Sequence, residues 1–307
     1  MSATQPTPRG SHCGRTLVIA THTFTQLARM KVFSFLAIFA VIVIAANFLD
    51  WQQLQGPEAA GANALNSIKS TSFGTMRMFS VVLSIVATAL LLPKDVEDRT
   101  LYTILAKPVP RLDYLAGKLL GVLLLVFVSL ALMDALMTVA LQIRTSIILE
   151  QQTQLAKAAG YTPADIASLL EETRACGPSA SVQGAVLAVF LQSAIIASLA
   201  MLISTFSTST LFTTIVGFLV FFIGHFQADA RDFYLQVGQA GQGSFSRTVS
   251  WLTAIVLPDF QLFNVIDAVI EGQALPALIL GKLALISFCY ALFYTLASWF
   301  IFSEKEF

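Results

Sequence analysis

Near residues 32–49, 73–93, 117–142, 184–205, 210–226 and 277–302 the chain runs apolar for close to the length a bilayer demands. A helix rises about 1.5 Å per residue, so the roughly 30 Å hydrocarbon core needs about 20 such residues in a row. No other feature constrains the fold as strongly, because in lipid each backbone N–H and C=O must be satisfied within the protein. The expectation is an all-α integral membrane protein of about six spans. Its single transmembrane domain covers residues 15–307, after a Pro/Ser/Thr/Gly-rich tail, 1–14, whose composition predicts disorder.

Charge agrees. Only 12% of residues are charged and 56% are hydrophobic, whereas soluble domains carry about 25% charged residues. Net charge is zero and no basic tract occurs, which argues against nucleic acid as a partner. Cys13, Cys176 and Cys289 are scattered and imply neither a disulfide framework nor a metal site. The mostly polar residues before the first apolar run do not read as a signal peptide.

Lys and Arg concentrate on the cytoplasmic side of short loops. With the N-terminus inside, Arg9, Arg15, Arg29, Lys31, Lys94, Arg99, Lys107, Arg111, Lys118 and Lys305 share that side. The other basic residues spread over longer outer loops, so both termini are expected in the cytoplasm. Residues 15–33 place Leu17, Ala20, Phe24, Leu27 and Ala28 near helical spacing among basic neighbours, the pattern of an amphipathic helix along the membrane surface. The outer loops are 144–182 and 227–275. In the first, Thr162 and Pro163 open a helix. The second ends in "WLTAIVLPDFQLFNVIDAVI", too polar to span and suited to a re-entrant or interfacial segment before the last span.

The charges between spans two and three, residues 91–126, pose a different problem. Lys94 to Arg99 alternate in sign, Thr100 is a good N-cap, and "LYTILA" follows until Pro108 forbids continuation. Pro110, Arg111 and Asp113 make the return turn, and Tyr114, Gly117 and Lys118 open the third span. The product is a short capped helix held beneath the membrane by two spans, suited to a groove on a soluble partner. A stiff connecting hairpin is the plain alternative.

This stretch resembles the first cytoplasmic loop of ABC-2 type permeases, the membrane subunits of bacterial ABC exporters. The match is carried by Glu97, Thr100, Leu101, Pro108, Arg111, Tyr114, Gly117 and Lys118. Asp95 and Arg99 depart from the family pattern, which has Glu and Gly there. "THTFTQLARMKVF" is similar to that family's N-terminal elbow helix, and "LPDFQLFN" resembles a segment before its last span. The resemblance implies that Thr100 to Ala106, with Leu101, Tyr102, Ile104 and Leu105 on display, form a coupling helix docking on a separate nucleotide-binding ATPase. It further implies a second permease copy, identical or paralogous, and a bacterial cytoplasmic membrane.

No G-x-x-x-x-G-K-[ST] loop occurs in the chain; the Gly-Lys pairs at 117–118 and 281–282 lack the earlier glycine and the later hydroxyl. ATP and Mg are therefore expected on the partner, with no cofactor and no catalysis on this chain. Ionisable residues within spans are functional by default. Asp134 in span three and Arg77 in span two are expected to pair and brace their hairpin, with Asp134 on a substrate path as the alternative. A secondary transporter would show inverted repeats and broken midplane helices, which are not visible. A structural or mechanical membrane subunit remains the other alternative.

Overall fold

The computed structural model describes residues 12–46, 62–97, 110–207, 209–237 and 258–304, without the side chains of 32, 35, 36, 39, 92–97, 165, 169, 172 and 227–237. Everything described is helix, turn or short link, with no strand. The helices run α1 (His12–Ala28), α2 (Lys31–Ala45), α3 (Ala62–Glu97), α4 (Arg111–Ala158), α5 (Pro163–Ala175), α6 (Ala180–Phe206) and α7 (Thr210–Val237). A 3-10 turn (Phe260–Phe263), the short α8 (Ile266–Ile270) and α9 (Ala277–Glu304) complete the order. α3, α4, α6 and α9 are long and apolar enough to cross a membrane, so this is a multi-pass membrane protein. α2 has 15 residues, about 22 Å of rise, which is short of the hydrocarbon core. The apolar part of α7, Thr210–Phe226, is also short.

α6 is the central post. Gln192 through Met201 are buried without interruption, as expected of a helix enclosed by others. α3, α4, α7 and α9 pack around it. Its hydroxyls turn inward on their own backbone: Ser193 donates to Val189 O, Ser198 to Ile195 O and Thr205 to Leu202 O. Small residues are thus present for close approach. At the entry to α7, Ser209 Oγ accepts from the Phe212 amide at 3.4 Å.

The bundle has two ends. The proximal end holds His12, the start of α4 and the last turn of α9; the distal end holds the starts of α3, α6 and α9. Ser287 Oγ donates to Leu191 O at 2.9 Å, which fixes the register of α6 on α9. On α9 no charged residue stands between Lys282 and Glu304, about the 20 residues of one hydrocarbon thickness.

Several expected boundaries move. The helix expected from residue 15 begins at His12. α3 runs through Pro93 to Glu97, so that proline lies inside the helix rather than closing it. The return turn expected at Pro110–Asp113 is already helical, with Pro110 as N-cap and Asp113 in the first turn. The largest change is in the supposed loop 144–182. α4 continues to Ala158, 48 residues in all, because no Gly or Pro occurs between Gly121 and Gly160, which sits at φ +75°. α5 then starts at Pro163, where Thr162-Pro163 predicts it.

In the other long segment, residues 258–270 fold back into the bundle. Phe260, Phe263, Ile266 and Val269 are all buried; the first pair shares one side of the 3-10 turn and the second pair one face of α8. Gly224 of α7 makes room: a Cβ there would lie 2.8 Å from the Phe260 ring and 2.9 Å from Pro258 O. Asp259 caps the turn by accepting from the Gln261 amide at 3.0 Å.

Candidate functional site

The motif residues at the start of α4 converge on one clasp. Arg111 Nη1 donates to Phe302 O and Ser303 O, both at 2.7 Å, satisfying carbonyls that the end of α9 leaves open. Tyr114, 1% exposed, stacks on Phe302 with ring centroids 6.2 Å apart. The Arg111 guanidinium lies 5.9 Å from the same Phe302 ring and Lys118 Nζ lies 5.7 Å from the Tyr114 ring, both cation–π contacts. α4 is thereby fastened to the last turn of α9.

Its other side receives α1. A Cβ on Gly117 would meet Ile19 Cβ at 2.8 Å, and one on Gly121 would meet Thr23 Cβ at 2.6 Å and Ala20 O at 2.8 Å. The two helices cross on a G-x-x-x-G face, where absent side chains let the backbones approach. Buried Asp113 completes the joint, 3.0 Å from His12 Nδ1 and 3.3 Å from Arg15 Nε. Arg15 Nη2 lies 3.2 Å from the same His12 nitrogen, so the imidazole proton decides whether His12 donates to Asp113 or accepts from Arg15.

Arg111, Tyr114, Gly117 and Lys118 are therefore brought together: the first three meet α9 or α1, and Lys118 lies over the Tyr114 ring of its own helix. Glu97 ends α3, but its side chain lies outside the described residues. Thr100, Leu101, Tyr102, Ile104, Leu105 and Pro108 lie outside them entirely. The clasp makes α1, the start of α4 and the end of α9 one mechanical unit at the base of that loop. The roles of His12, Arg15, Asp113 and Gly121 were not foreseen. Only Gly121 had a visible signal, its spacing from Gly117.

On α1, Ala20 and Leu27 are buried and Phe24 packs on the core, but Leu17 is 67% exposed and Ala28 is exposed too. The apolar face expected to meet lipid is thus divided between α4 and the outside.

The expected Arg77–Asp134 pair is not formed. Asp134 Oδ1 accepts from Gln183 Nε2 of α6 at 3.2 Å and faces Thr138 at 3.5 Å. Gln183 is in the first turn of α6, so Asp134 lies toward the distal end of the bundle. Arg77 instead donates to Asn264 Oδ1 and lies by His225 Nδ1 of α7, both at 3.4 Å. The two helices present these residues to different neighbours, so adjacency of the spans did not bring the charges together.

A distal charge escaped the sequence reading. Lys69, 1% exposed, donates to Val269 O at 3.3 Å and Ile270 O at 2.7 Å. A cation on the last carbonyls of α8 complements the negative helix end and ties the folded-back segment to α3. Comparison of the chain with protein-family models and with curated proteins returned no match.

Proposed function

We propose that the chain is the permease subunit of an ATP-binding cassette exporter of the ABC-2 type, working with a separate ATPase and a second permease copy. The observation that carries this reading is the clasp at Arg111, Tyr114, Gly117 and Lys118. Arg111 and Tyr114 hold α4 to α9 and Gly117 seats it on α1, with Lys118 over the Tyr114 ring, as a loop receiving force from a partner requires. In this reading residues 100–106 form the coupling helix. Partner ATPases closing on ATP push that loop, and the clasp passes the displacement to three helices together.

The finer architecture belongs to the same proposal. α2 and α7 complete six crossings, α1 is the elbow helix along the cytoplasmic surface, and residues 258–270 are the re-entrant outer segment. The proximal end faces the cytoplasm of a bacterium, where the basic residues gather. ATP and Mg are bound by the partner, and this chain does no catalysis.

The test is affinity purification of the tagged chain from its native membrane in mild detergent, with identification of what accompanies it. A stoichiometric ATPase is expected, and it should be lost in Leu101→Asp/Leu105→Asp while the variant stays folded. A folded chain that brings no ATPase refutes the proposal.

A further inference from the structure

Arg77 stands in an unusual position for a charge. Twenty residues or so back from Lys94 along α3 is Gly74, so a slab whose proximal edge is at Lys94 leaves Arg77 about 4.5 Å inside its distal edge. Side chains on a helix lean toward its N-terminus, which for α3 is the distal end. The guanidinium is thereby directed to the depth of lipid head groups, as long basic side chains near helix ends are.

Its contacts there leave it room. Among the described residues it forms no ion pair; it donates to Asn264 Oδ1 and lies by His225 Nδ1, both at 3.4 Å. Asp267, the acid nearest in influence, receives a 2.9 Å bond from Asn264 Nδ2. A guanidinium has five N–H donors in a planar fork, and among the described residues most of this one's donors meet no partner. Gly74 and Ser70, both exposed, lie one and two turns outward on the same stripe of α3. A Cβ on Gly74 would meet nothing within 4 Å. On the flanks Met78 is 72% and Phe222 57% exposed, apolar surface next to a cationic head.

We propose that Arg77, supported by His225 and Asn264, is a binding site for the phosphate of an anionic membrane lipid. The acyl chains lie along Met78 and Phe222, and the head group occupies the open side of α3 at Gly74. The planar fork matches two phosphate oxygens. The site belongs to this chain alone and stands whether or not an ATPase partners it.

The test is native mass spectrometry of the purified full-length chain, titrated with phosphatidylglycerol or with diacylglycerol, which lacks the phosphate. Arg77→Gln should weaken phosphatidylglycerol binding about ten- to hundredfold, the value of charge-assisted bonds, and leave diacylglycerol unchanged. Arg77→Lys should fall between the two. Equal phosphatidylglycerol binding by wild type and a folded Arg77→Gln overturns the proposal. In case Arg77→Gln does not fold, phenylglyoxal modification of Arg77 in the wild type is read by peptide mass. Phosphatidylglycerol should slow it and diacylglycerol should not. Equal rates overturn the proposal, and so does protection by inorganic phosphate alone, which would make the ligand a soluble anion.

Discussion

Gly121→Ala adds one methyl group at the crossing of α1 and α4. That methyl would lie 2.6 Å from Thr23 Cβ and 2.8 Å from Ala20 O, whereas carbon atoms in contact sit about 3.5–4.0 Å apart. Neither neighbour can rotate away, since one is a Cβ and the other a backbone oxygen. α1 must therefore shift as a body by about 1 Å, a gap that forfeits up to about half of each dispersion contact it opens. Overpacking of this kind costs about 1–3 kcal/mol, and the helix preference of Ala over Gly returns up to about 1 kcal/mol. From the middle of that range the balance is about 1 kcal/mol against docking of α1, a roughly fivefold rise in its open population. Amide hydrogen exchange of residues 12–28 in the purified chain reads that population directly. Gly281→Ala is the control, because a Cβ at 281 meets nothing within 4 Å; there the methyl should leave α1 unchanged. Unaltered exchange of α1 in Gly121→Ala, or an equal change in Gly281→Ala, would refute the packing argument.

Lys69→Met should leave the carbonyls of Val269 and Ile270 without their donor. A loss of about 1–3 kcal/mol is expected as a lower melting temperature, with faster exchange in 260–272; an unchanged melt counts against the bond. Arg111→Gln removes the fork from Phe302 O and Ser303 O, so the amides at the end of α9 should exchange faster while those of its distal half do not. For Asp134→Asn and Arg77→Gln the separate partners predict additive stability losses within about 0.5 kcal/mol. A larger coupling in the double mutant would show contact between the two.

What the sequence made legible was the part governed by apolar length. The cores of α3, α4, α6 and α9 lie where runs of hydrophobic residues place them, since lipid leaves the backbone no other choice. The extension of α4 was hidden because "TSIILEQQTQLA" is too polar for a span and was read as loop. Polarity sets where a helix leaves the membrane, however, and not where it stops; Gly160 does that. The clasp was half legible. Arg111, Tyr114, Gly117 and Lys118 stood out as a motif, but their partners are the last turn of α9 and the face of α1, far away in sequence. Asp134 and Arg77 show the opposite error. Two charges on neighbouring spans suggested a pair, although the facing of each helix is set by packing that one chain's pattern does not reveal.

The inward-turned hydroxyls of α6 have a mechanical consequence. Among the described residues, the bonds that cross from α6 to other elements come from Ser181, Gln183 and Leu191, all in its distal half. From Gln192 to Phe206 its hydroxyls bond only to their own helix, and side-chain atoms of Gln192 and Ser204 have no bond. The post is thus pinned at one end and merely fitted at the other. Its proximal half can tilt against its neighbours without breaking a directional bond, so the bundle has a pivot near Leu191 and a lever arm below it.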